Sequence, residues 1–136
     1  MALVVVNNGE AIALSYLVNK VATPEDLVVN LYKSNTTPAE NDTAGTYTAS
    51  TFTGYAAQTL TGATWGAAVT GNPTSITYGA QLTFTCSGAS SENVYGYYIT
   101  RLVTGDLVWS ERDASAPFAI ANIGDAVKIT PTITAE

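Results

Sequence analysis

Short runs of alternating apolar and polar residues, separated by polar breaks, recur along most of the chain. The cleanest is Leu82-Thr83-Phe84-Thr85-Cys86, where Leu82, Phe84 and Cys86 share one side of an extended strand. Residues 27–33 set Leu27, Val29 and Leu31 against Val28, Asn30 and Tyr32, which predicts another half-buried strand. Two β-rich runs, 94–102 and 107–112, flank Val103-Thr104-Gly105-Asp106 and read as a hairpin. In 126–134, Val127, Ile129 and Ile133 lie on one face. Pro131 falls on that face too and has no N–H to give, so this strand is predicted to be bulged there or to lie at an edge. Shorter strands are predicted at 56–60, 64–69 and 75–78, a loop at 87–93 and a break at 114–117.

One stretch has a different period. Apolar residues at 11, 14, 17, 18 and 21 form a single helical stripe, predicting a helix over about 10–19 with Asn8 as N-cap and Glu10 at the positive end of its dipole. The stripe is expected to pack on one end or face of the β-structure. Leu3, Val4, Val5 and Val6 precede the break at Asn7-Asn8-Gly9-Glu10. Residues 1–8 are therefore read as an N-terminal arm, and 9–136 as one domain. The series of short strands spaced by turns predicts a mainly β, antiparallel sandwich or jelly-roll-like domain with one short N-terminal helix.

Composition sharpens this picture. The chain has 136 residues, enough for one domain with a real core. Charged residues make up 12%, about half the usual ~25%, and 21 threonines take up much of the polar surface. Threonine is β-branched and suits a pleated strand. A surface poor in lysine and glutamate also matches the composition of protein interfaces. Net charge is −6, and the five basic residues (Lys20, Lys33, Arg101, Arg112, Lys128) are scattered. No cationic stripe exists to neutralise phosphates, so neither nucleic acid nor an anionic membrane is an expected partner. No apolar run is long enough to span a bilayer, and residues 1–8 do not read as a secretory signal.

Candidate chemistry is sparse. The absence of histidine removes the commonest general base and metal ligand, and a single cysteine rules out an internal disulfide or a four-ligand N/S zinc site. Cys86 reads as a small buried hydrophobe. The eleven carboxylates fall mostly in turns, where acids cap and form turns. Glu40-Asn41-Asp42 and Glu111-Arg112-Asp113 lack the spaced oxygen ligands and central glycine of a calcium loop. No catalytic residue, metal or cofactor is expected, and the chain reads as a non-enzyme. Tyr95, Tyr97, Tyr98 and Trp109 admit two readings, as core residues or as rings for stacking on a sugar or anchoring an interface. By parity Tyr95 and Tyr97 go with Ile99 into the core, and Tyr98 faces outward. The interface candidates are thus Leu3, Val4, Val5, Val6, Tyr98 and Trp109.

Val94-Tyr95-Gly96-Tyr97-Tyr98-Ile99-Thr100, Leu107-Val108-Trp109-Ser110-Glu111-Arg112, the run 124–134, the strand 27–33 with Asn35 and Pro38, and Gly54-Tyr55-Ala56 together resemble small virion proteins of tailed bacteriophages that are frequent in aquatic phages, including cyanophages. Within that group the sequence is most similar to head cement, or decoration, proteins. The resemblance implies a β-rich protein on the outer capsid surface, with the major capsid protein and copies of itself, as a homotrimer, for partners. Two other readings stay open: a tail-fibre, receptor- or carbohydrate-binding module using Tyr98 or Trp109, and a tail or neck connector component.

Overall fold

The computed structural model describes residues 4–18, 20 and 24–135. In chain order the elements begin with β1 (Val4–Val5), α1 (Asn7–Leu17), β2 (Leu27–Tyr32), β3 (Gln58–Leu60), β4 (Thr74–Thr77) and β5 (Leu82–Thr85). They continue with β6 (Glu92–Val94), β7 (Gly96–Arg101), β8 (Leu107–Arg112), β9 (Phe118–Ile120), β10 (Ala126–Ile129) and β11 (Thr132–Ala135). The domain is mainly β and antiparallel, with two layers and one helix, as the strand pattern predicts.

The first layer is a five-stranded sheet in the order β1-β8-β7-β2-β3. Its centre is the β7–β8 hairpin read from the sequence, with Tyr98 opposite Ser110 and Ile99 opposite Trp109. Gly96 lets β8 come close: a Cβ there would lie 2.1 Å from the Glu111 carbonyl oxygen. The second layer is one long ribbon. The segment from β4 through β5 to β6 runs antiparallel to the segment from β11 back through β10 to β9. Between the paired stretches, Tyr78 N–H bonds to Pro131 O, and Cys86 N–H bonds to Asp125 O. Pro131 marks the irregularity its missing N–H requires, separating β10 from β11.

Packing the ribbon on the sheet buries Val29, Leu31, Leu60, Phe84, Cys86, Val94, Ile99 and Trp109 in one cluster. Cys86 is inside it, in phase with Leu82 and Phe84. A second, smaller cluster covers the other face of the sheet, where Val6, Tyr32, Tyr47, Tyr98 and Leu107 meet. This second cover corrects the reading of Tyr98, which is only 7% exposed, its ring stacked on Tyr47 at 5.1 Å. Every residue of β7 is buried, because a central strand covered on both faces has no outward parity. Trp109 is 2% exposed and meets Trp65 edge to face at 6.2 Å.

The N-terminus also departs from expectation. Residues 4–6 are not a detached arm: β1 pairs with β8, and Val6 is fully buried. Leu3 lies outside the described residues. The helix begins at Asn7 after Val6, with no side-chain cap, and Asn8 Nδ2–H donates instead to Leu107 O at 3.4 Å. Gly9 is the buried helical residue; a Cβ there would lie 2.2 Å from Val108 O. Gly9, Ile12 and Ser15 turn toward the sheet, so Leu14, Leu17 and Val18 of the apolar stripe face outward. Val21 lies outside the described residues. Elsewhere, residues 64–69 make only isolated bridges, Trp65 with Tyr78 and Val69 with Ser75. The expected break at 114–117 is a turn, whereas the last residues of the expected loop at 87–93 enter the short strand β6, which pairs with β9 just after that break.

Candidate functional site

The side chains picked out for docking are mostly internal. Val4 and Val5 are half-buried, while Val6, Tyr98 and Trp109 belong to the cores. A ring that fills a core cannot stack on a sugar, so Tyr98 and Trp109 do not form the stacking platform considered for a carbohydrate site. Burial also raises the Tyr98 hydroxyl pKa. Beside it, the Tyr47 hydroxyl donates to Asp42 Oδ2 at 2.6 Å and lies 2.8 Å from Ser110 Oγ. Burial, then the bond to Asp42, raises the Tyr47 pKa. These polar groups hold the second cluster together.

Most of the exposed large apolar side chains lie on α1 and the β7–β8 turn, with Val69 and Ile123 on other segments. α1 starts against the first residues of β8, where Val6 N–H bonds to Val108 O. The chain returns for β2 at Asp26, whose carbonyl accepts from Leu102 N–H at 2.9 Å. Helix and returning chain thus share the end of the sheet that carries the β7–β8 turn. Leu14, Tyr16, Leu17 and Val18 are exposed along and just after α1, and Leu102 and Val103 on the turn; Leu17 and Val103 each reach 81%. Singly exposed apolar residues are ordinary, whereas neighbouring ones on a helix and on a fixed turn make apolar patches.

The turn is firmly held. Glu25 pairs with the buried Arg101 guanidinium at 2.5 Å and accepts from Val103 N–H and Thr104 N–H at 2.5 and 3.3 Å. Arg101 N–H bonds to Asp106 O, and Gly105 takes φ 75°, the left-handed geometry that closes the turn. A fixed turn presents Leu102 and Val103 without loop ordering on binding. Sequence reading missed these patches because it assigned the helical stripe to the core. The available signals were Gly9 on the opposite helix face and the adjacent Leu102-Val103 pair beside a glycine turn.

A second feature is a cavity of about 240 Å³ between the layers, along β10. Leu31, Val94 and Phe118 give it apolar walls, and Tyr97, Glu111 and Asp113 line it from the sheet side. Tyr97 O–H donates to Glu111 Oε2 at 2.5 Å, and burial together with that bond raises the Tyr97 pKa. Asp113 Oδ1 accepts from Ser115 N–H at 2.7 Å.

Among the described residues no group of three or more Cys, Asp or Glu side chains is placed to hold a metal ion. Asp42, one of the carboxylates weighed for calcium, staples its own turn by accepting from Ala39 N–H. Three of the basic side chains are engaged within the fold: Lys33 with Glu92, Arg101 with Glu25, and Arg112 over the Tyr95 ring at 5.0 Å. Among the described residues no helix is long and apolar enough to cross a membrane. No protein-family model matches the chain, and none of the curated proteins matches it.

Proposed function

We propose that this chain is a structural, non-enzymatic docking protein of a tailed-bacteriophage particle. In this reading it is a cement protein seated on the outer capsid surface with the major capsid protein as partner. The observation that carries the reading is the exposed apolar surface of α1 and of the β7–β8 turn, where Leu102 and Val103 are held on a turn fixed by Arg101 and Glu25. The phage assignment within this reading rests on the sequence resemblance. Water-exposed leucine and valine on a rigid frame release free energy when a partner covers them. Copies attached at neighbouring sites, as in a trimer, would reinforce one another through effective concentration. Selective binding to the expanded shell would stabilise that shell by mass action.

Leu17→Asp and Val103→Asp test the reading. Both positions are exposed, so each variant should keep its fold and melt within about 0.5 kcal/mol of the parent. Co-sedimentation with expanded phage heads should fall by about tenfold or more for each variant. Undiminished co-sedimentation would overturn the proposal, as would absence of the protein from purified particles by mass spectrometry.

A further inference from the structure

We infer that the free edge of β10, with the cavity beside it, is a strand-addition site for an extended segment of a partner protein bearing alternate apolar side chains and one lysine or arginine. Within the described residues β10 pairs on one side only, with β5. The other edge of an antiparallel strand offers N–H and C=O groups at alternate residues to whatever lies alongside. The five consecutive residues from Ala126 to Thr130 all line the cavity. Successive side chains point to opposite faces, so an unbroken run can border one space only along the edge of its strand.

The space is shaped for a strand. Val127 and Ile129 point inward yet stay half-exposed, whereas their cross-strand partners Phe84 and Leu82 are buried. An added strand would cover Val127 and Ile129 and send its own alternate side chains toward Leu31, Val94 and Phe118. At about 240 Å³ the cavity falls below the ~300–1,000 Å³ of pockets that enclose a drug-sized ligand, but it can admit side chains directed inward from a strand. In such complexes backbone hydrogen bonds supply affinity and the side-chain pockets supply selectivity.

Charge selects the occupant. Glu111 and Asp113 line the wall against the single cation Lys128, so the incoming segment needs a cationic side chain. Edge-to-edge pairing of two copies would bring the same acidic wall twice, on chains each carrying −6. A segment of a different protein fits better. The site shares no residue with the exposed apolar surface of α1 and the β7–β8 turn and stands whether or not that surface docks on a capsid.

The test titrates the full chain with acetyl-Val-Thr-Val-Lys-Val-Thr-amide, following backbone amides by NMR and hydrogen exchange. The peptide should shift the amides of Ala126 to Thr130 and slow their exchange. Affinity should fall by about tenfold or more when its lysine is replaced by glutamate, when alternate peptide nitrogens are methylated, or when the protein carries Glu111→Gln with Asp113→Asn. Glutamine at 111 can still accept from Tyr97, and unchanged spectra away from the site will confirm the fold. Four results would overturn the inference: no shift in β10 at millimolar peptide, equal affinity for the lysine and glutamate peptides, shifts confined to α1 and the β7–β8 turn, or β10 protection that grows with protein concentration alone.

Discussion

β5 and β10 pair residue for residue, yet their inward side chains have different fates. Leu82 and Phe84 are buried, while Val127 and Ile129 remain half-exposed. The two strands have similar inward residues, so hydrophobicity does not explain the contrast. What differs is lateral cover. The free side of β5 is sealed by the preceding chain: Ser87 N–H bonds to Thr53 O, Gln58 Nε2–H donates to Thr83 O, and Tyr55 stacks on Phe84 at 6.0 Å. The free side of β10 faces the cavity. A sandwich can thus be closed along one flank and open along the other, and the open flank is where a partner's backbone can enter.

The largest effect that separates the two flanks should come from truncation. Phe84→Ala should cost about 3–5 kcal/mol by leaving a hole in a filled core, whereas Val127→Ala should cost about 1 kcal/mol. Urea denaturation of both variants checks this, and comparable losses would mean that β10 is as well covered as β5.

A second effect is alkaline. Burial pushes the Tyr55 hydroxyl on the closed flank up to about 12 and Tyr32 in the second cluster likewise to about 12. Burial and the Glu111 bond also raise Tyr97 on the open flank. The folded state favours the neutral phenol, so this stability is complete below the ordinary value of 10.0 and is lost as pH rises from there toward 12. Absorbance at alkaline pH should show these tyrosines ionising together with unfolding. Non-cooperative titration of Tyr97 alone would show that water reaches it through the open flank in the folded state.

The smallest effect concerns Asp125, just before β10. Its carboxylate accepts from Ala121 N–H and Asn122 N–H at 2.9 and 2.8 Å, and those bonds hold its pKa below the ordinary 3.8. The contribution is present above that value and is lost as pH falls through the depressed folded pKa. Asp125→Asn should speed amide exchange at residues 121 and 122 while leaving the melting temperature nearly unchanged. A large fall in melting temperature would assign this turn a role in holding the whole open flank.

Much of the architecture was legible along the chain. Alternation placed Leu82, Phe84 and Cys86 in the core, the glycine turn joined β7 to β8, and Pro131 interrupted its strand, because each depends on a residue's own geometry or its immediate neighbours. The candidate site was much less legible. Parity put Tyr98 outside, but parity assumes one covered face, and Val6 and Tyr47 cover the other from distant parts of the chain. Helical spacing found the stripe of Leu14, Leu17 and Val18 but not its direction. That was decided at Gly9, the residue bare enough to touch the backbone of β8. Local sequence sets which residues share a face. Whether that face meets a core, a cavity or water depends on which remote segments pack against it, and only the tertiary structure fixes that.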